Sequence, residues 1–235
     1  AWHAMKAGIF DSQFAMEQLN SLWYGLNYTS YNCIYTFLFS LRKQGWKNVP
    51  RKGPVLLVAN HQSFLDPIAV GLTACRELSY LARKSLFKKP FLDVYLKSVG
   101  CCPVDLEGVA KEGIRSTLDL LSNGRAVLVF PEGTRSEDGL MHDLKPGIQL
   151  LIRKSNAIVV PVGISGAHEA LSRDNFWPTL CPLFLRGNHG AIGISIGAPI
   201  EAKILTELSR EDSLKLLKDS INREIIQAEH IRRKK

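Results

Sequence analysis

The 235-residue sequence has no Cys-x-x-Cys pair, no histidine-rich segment, and an odd number of cysteines, five in all. Cys33, Cys75, Cys101, Cys102 and Cys181 therefore argue against a disulfide framework and against a zinc site. They read as small buried hydrophobes of a reducing compartment. Cys101 and Cys102 are adjacent, and neighbours on a strand point to opposite faces, so no redox chemistry is assigned to them. No zinc-finger, RNP or basic coiled-coil pattern is present, which removes the usual frameworks for nucleic-acid binding. A basic start, an apolar middle and a small-residue cleavage site do not occur in order, so no secretory signal is read. Neither an internal repeat nor a low-complexity linker divides the chain after about Val55.

Charge is missing from Gln18 to Leu41, a stretch that carries Trp23, eight Leu, Ile and Phe side chains, and four tyrosines. Its length suits a bilayer span. Asn20, Asn27 and Asn32 make such a span costly, whereas Tyr and Trp favour the headgroup boundary. The reading is an interfacial or re-entrant helix pair broken near Gly25 to Asn27; a soluble core helix and a full span are the other two. Beyond it, basic residues dominate: the net charge is +8. Arg42, Lys43, Lys47, Arg51 and Lys52 follow the aromatic stretch, and Arg83, Lys84, Lys88, Lys89 and Lys97 surround Phe87 and Phe91. Cations beside apolar anchors suit a membrane surface, and a solvated basic face is the plainer reading of either group.

With 46% hydrophobic residues the chain can bury one substantial core. After Pro50, short apolar runs alternate with helical periodicity, which predicts an α/β fold: a central, mostly parallel or mixed sheet flanked by helices. Strands are expected at Val55 to Ala59, Leu78 to Ala82, Val99 to Val104, Ala126 to Phe130, Ala157 to Ile164 and Ala191 to Ile196. Helices are expected at Pro67 to Cys75, Phe87 to Ser98, Gly108 to Ser122 and Ser209 to Ile231. The expected organisation is an N-terminal membrane-interfacial segment, 1–48, and a catalytic domain, 49–235.

Two constellations follow predicted strands. Asn60-His61-Gln62-Ser63-Phe64-Leu65-Asp66-Pro67 leaves the first of them, at the strand end where α/β folds place ligands. A neutral His61 imidazole can take a proton near pH 7, and a turn can fold Asp66 back to orient it without any serine nucleophile. Each residue has a plainer reading: a satisfied structural histidine, and an Asp-Pro helix start. Phe130-Pro131-Glu132-Gly133-Thr134-Arg135-Ser136 leaves another strand. Its backbone N–H groups, hydroxyls and guanidinium suit a phosphate monoester. Glu132 is expected to hold Arg135 or to accept from a substrate hydroxyl. Ile158 to Ile164 carries an internal Pro161, which implies an edge strand or a bulge, and the strand could wall an apolar ligand.

His61 and Asp66 (His, four residues, Asp), the Phe-Pro-Glu-Gly-Thr-Arg-Ser segment some 70 residues on, and Val160-Pro161-Val162 together resemble the glycerolipid acyltransferase family, the lysophosphatidic acid acyltransferase type in particular. The resemblance runs from about Gly45 to Ile200. It implies that His61 deprotonates an acceptor hydroxyl as that oxygen attacks a thioester of acyl-CoA or acyl carrier protein, with Asp66 orienting His61. It further implies an acceptor phosphate held by Glu132, Gly133, Thr134 and Arg135, with Arg83 near it, and no metal or other cofactor. The expected partners are a membrane lipid surface, a lysophospholipid acceptor and the thioester donor. The expected location is the cytoplasmic face of a membrane. One departure stands out: Asp105 is followed by Leu106 where family members commonly carry Arg. Acylation of another lysophospholipid or of glycerol phosphate, thioester hydrolysis, and non-catalytic lipid binding are the alternatives.

Overall fold

The computed structural model describes residues 22–104, 110–175, 177–182 and 190–233. Among these residues seven strands form one sheet: β1 (Arg42–Gln44), β2 (Val55–Ala59), β3 (Leu78–Arg83), β4 (Cys101–Val104), β5 (Ala126–Val129), β6 (Ile158–Ser165) and β7 (Gly193–Ile196), in the order β1-β7-β6-β2-β5-β3-β4. Pairings are parallel except that of β6 with β7. The helices are α1 (residues 22–39), α2 (Asp66–Ala74), α3 (Pro90–Ser98), α4 (Ala110–Ser122), α5 (Gly147–Ser155), α6 (Ala167–Ala170), α7 (Ala202–Glu207) and α8 (Arg210–Arg233).

The apolar run of β2 is buried on both faces because helices cover both. Val55, Leu57 and Ala59 face a core shared with α1 and α2, through Tyr35, Phe39, Ala69 and Val70. Leu56 and Val58 face a second core with α4, α5 and α8, through Leu121, Ile148, Ile152, Leu217 and Ile221. Gly163 lets α8 lie against β6: a Cβ there would come within 2.0 Å of the Glu224 carbonyl carbon.

Several expectations need correction. β1, α5, α6 and α7 were not foreseen. The break near Gly25 to Asn27 does not occur, since α1 runs unbroken through it. There the Asn27 amide donates to the Trp23 carbonyl at 2.8 Å and Thr29 Oγ1 to that of Gly25 at 2.9 Å, so the polar side chains are satisfied inside the helix. Nor do sheet and core stop at position 48: β1 pairs with β7, and Tyr35, Phe39 and Leu41 pack with the strands. The expected helix from Gly108 is described from Ala110, and Gly108 and Val109 lie outside the described residues. Pro161 is not on an edge, because β6 lies between β7 and β2. The bulge is real. Between the Val162–Ile196 and Val159–Ile200 pairs the β7 side advances one residue more than β6, opposite the proline. Of the cysteines only Cys181 is buried; Cys33 and Cys75 are exposed, and Cys101 and Cys102 are half-buried.

Candidate active site

The register of β2 on β5 pairs Val58 with Val129, so the chain segments that follow leave the same sheet end side by side. His61 and the Phe130 turn are therefore neighbours by construction. Their rings stack at 3.9 Å between centroids with 14° between planes. Glu132 Oε1 accepts from the His61 backbone N–H at 2.8 Å, and the His61 carbonyl accepts from the Ser136 N–H at 2.8 Å. The second motif thus grips the backbone of the first on both sides. Asn60 adds a third tie, exchanging two hydrogen bonds between its side-chain amide and the Ile164 backbone of β6.

Asp66 is fully buried and is the first residue of α2. Its carboxylate turns back instead of capping its own helix. Oδ2 lies 2.8 Å from His61 Nδ1 and accepts from the N–H groups of Gln62, at 2.6 Å, and Ser63, at 2.7 Å. An ionised carboxylate only accepts, so Nδ1 carries a proton, and in the neutral imidazole Nε2 keeps its lone pair. The imidazole is 18% exposed, which leaves Nε2 a route to a ligand. Tyr35 OH donates to the Leu65 carbonyl and steadies the same turn.

Glu132 does not hold Arg135. Its second oxygen accepts from the His142 N–H at 2.8 Å, so both oxygens serve backbone donors. Burial raises its pKa above the ordinary carboxylate value, and the two backbone hydrogen bonds counter that. Arg135 instead stacks on Phe64, its guanidinium carbon 3.5 Å from the ring centroid. Nη1 of Arg135 is buried with no hydrogen-bond partner among the described residues. Burial, then Arg173, then Arg83, weaken the hold of Arg135 on its proton, while Asp66 and Asp174 oppose them. An unsatisfied guanidinium nitrogen among like charges is a place for an anion. Gly133 needs its left-handed φ of 76°, and the Lys145 side chain lies over it where a Cβ would stand. Thr134 is exposed on the same turn. Arg83 ends β3, which pairs with β5, and so reaches this sheet end too. Asp105 and Leu106 lie outside the described residues.

Beside the turn lies a cavity of about 290 Å³ between α1, α2, α3 and β3. Its walls include Tyr28, Tyr31, Ile68, Gly71, Leu81 and Leu96, and Phe64 closes the end nearest Arg135. The Tyr31 and Tyr95 hydroxyls, 2.5 Å apart, satisfy each other. Burial pushes Tyr24 and Tyr28 up to about 12, so these walls stay neutral. Val160 and Val162 do not line it: both are wholly buried in the first core. Sequence reasoning missed the Phe130 stack, Phe64 beneath Arg135, and Arg173. The signal for Phe64 was an aromatic in a polar turn; for Arg173 there was none.

The family model described as Acyltransferase matches residues 40–165, more than half of the chain. The chain is 28% identical to a chloroplastic 1-acyl-sn-glycerol-3-phosphate acyltransferase of Arabidopsis thaliana over 78% of its own length and 49% of that protein. It thus spans about half of that relative. It is 25% identical to the 1-acyl-sn-glycerol-3-phosphate acyltransferase of Bacillus subtilis over 78% of this chain and 85% of the other. Among solved structures it is similar to the 1-acyl-sn-glycerophosphate acyltransferase PlsC of Thermotoga maritima. The TM-score is 0.66 and the identity 27%, covering 80% of this chain and 71% of that one.

Proposed function

The chain belongs to the acyltransferase family, and from that premise we propose that it transfers a fatty acyl group from acyl-CoA or acyl carrier protein to the sn-2 hydroxyl of lysophosphatidic acid, giving phosphatidic acid. The observation that carries this reading is the His61–Asp66 pair, with Nε2 of His61 left as the base. Nε2 takes the acceptor hydroxyl's proton as that oxygen attacks the thioester carbon, and Asp66 stabilises the imidazolium that forms. Collapse of the tetrahedral intermediate breaks the carbon–sulfur bond, and the imidazolium returns its proton to the thiolate. The N–H groups of His61, Gln62, Ser63, Gly133 and Ser136 are already committed. The uncommitted N–H groups of the Thr134–Arg135 part of the turn meet the oxyanion. Arg135, with Arg83 near it, takes the acceptor phosphate, and Glu132 acts by holding His61 in place. No cofactor beyond the thioester co-substrate is called for.

The cavity beside Phe64 receives the acyl chain. Replacing Ile68 by Trp, which fills part of it, is expected to lower kcat/KM for long-chain donors more than for short ones. An unchanged chain-length profile would place the acyl chain elsewhere.

We also assign the enzyme to a membrane surface. One face of α1 packs inward through Tyr28, Tyr31, Tyr35 and Phe39, yet its outer face is apolar too, with Leu22 at 70% and Leu26 at 62% exposure. Phe91 on α3 is 89% exposed, preceded by Lys88 and Lys89. No described helix is long and apolar enough to cross a membrane, and an apolar face with cations at its border suits its interface. The cytoplasmic leaflet, where anionic lipid lies, fits the basic border.

The direct test is product analysis. Purified protein with a long-chain acyl-CoA and either lysophosphatidic acid, another lysophospholipid or glycerol 3-phosphate is expected to make diacyl product from lysophosphatidic acid. Product from a different acceptor alone would reassign the substrate; release of free fatty acid alone would point to a hydrolase.

A further inference from the structure

Arg173 follows α6, the short helix after β6, and Nη1 of its guanidinium donates to Glu137 Oε1 at 3.1 Å. Glu137 stands two residues beyond Arg135, so this pair fastens Arg173 to the turn that carries Arg135. The His168 ring ties α6 to the same turn, with Nε2 3.1 Å from the Glu137 carbonyl oxygen. Both charged partners are open to water, at 45% and 77% side-chain exposure, and an ion pair so exposed is held weakly. Arg135 meanwhile has a buried nitrogen with no partner among the described residues. Arg173 and Arg83 weigh on Arg135 more than Asp66 and Asp174 do in the opposite sense, and a further anion among them offsets that repulsion. Asp66, the buried carboxylate nearby, is committed to His61 and two N–H groups.

We propose that Arg173 is a second guanidinium of the acceptor-phosphate site, held by Glu137 in the free enzyme and released to a phosphate monoester that displaces Glu137. The inference rests on the assignment of Arg135 to that phosphate and adds a residue and a competitor to it. Electrostatics agree: after burial, Arg173 is the strongest influence lowering the pKa of Arg135. A terminal phosphate has enough free oxygens for two guanidinium forks, whereas a phosphodiester headgroup has fewer.

The two partners predict opposite signs. Arg173→Ala should raise KM for lysophosphatidic acid by about tenfold or more, the loss expected of one charged hydrogen-bonding group, with kcat little changed. Arg173→Lys should recover part of it. Glu137→Gln removes the competitor and should lower the same KM severalfold. An ion pair that merely braces the turn would make Arg173→Ala and Glu137→Gln shift KM in the same direction, and that result, or silence of both, overturns the inference. Arg135→Ala separates the two levels. If it raises KM and the Arg173 and Glu137 variants do nothing, this proposal alone falls. If Arg135→Ala leaves KM unchanged, or the wild type does not use lysophosphatidic acid, the phosphate assignment falls with it.

Discussion

Replacing Asp66 by Ala is expected to remove both turnover and stability, whereas Asp66→Asn removes turnover chiefly. Three donors converge on one oxygen, Oδ2: the His61 ring and the N–H groups of Gln62 and Ser63. Truncation strands two buried N–H groups and the ring N–H. At roughly 1–3 kcal/mol for each group left unsatisfied, the cost is about 4 kcal/mol. For a chain of this size that corresponds to a fall in Tm of about 10 °C. Asn can place its amide oxygen where Oδ2 stood and keep the three hydrogen bonds. Its amino group then occupies the position of Oδ1, which is buried with no partner among the described residues. The geometry is retained and the negative charge is lost, so the imidazolium forms less readily and kcat should fall by roughly 10²–10³. Thermal melts and steady-state rates on the two variants test this. Equal melting temperatures for Asp66→Ala and wild type would mean that the turn does not depend on the carboxylate.

His61→Ala gives the complementary result. The backbone of His61 is held by Glu132 and Ser136 whatever its side chain, and Asp66 keeps two of its three donors. The ring is partly exposed and its main contact is the stack on Phe130. Stability should therefore fall by only about 1 kcal/mol. Turnover should fall by about 10³–10⁴, the scale of a positioned general base. Comparing melts with rates for this variant and Asp66→Ala separates the group that moves the proton from the group that also builds the turn.

Much of this arrangement can be read from the residues, for a physical reason. Strands buried on both faces must be apolar throughout, so Val55 to Ala59 and Ala126 to Val129 stand out, and the motifs that leave them fall at strand ends. Which strands are neighbours is not written in either run. The β2–β5 register, which brings His61 to Phe130, is set by packing across the whole sheet. Three-residue β1 is Arg-Lys-Gln and carries no apolar period. α5 offers only Ile148, Leu151 and Ile152 as inward apolar positions, too few to fix a helical repeat. Glu132 illustrates the limit most clearly. Its partners are backbone N–H groups, one of them 71 residues away, and a backbone donor leaves no mark on sequence. Pairing it with Arg135 followed charge, the only cue available. α1 misled for a related reason: Asn27 looks like a breaker until its carbonyl partner one turn back is seen.

The central claim is that His61 drives transfer to an acceptor. Thiol release from a long-chain acyl-CoA in detergent micelles, with and without lysophosphatidic acid, for wild type and His61→Ala, tests it most directly. The account predicts release by the wild type only when the acceptor is present, and almost none by His61→Ala under either condition. Near-normal, acceptor-dependent release by His61→Ala would contradict it.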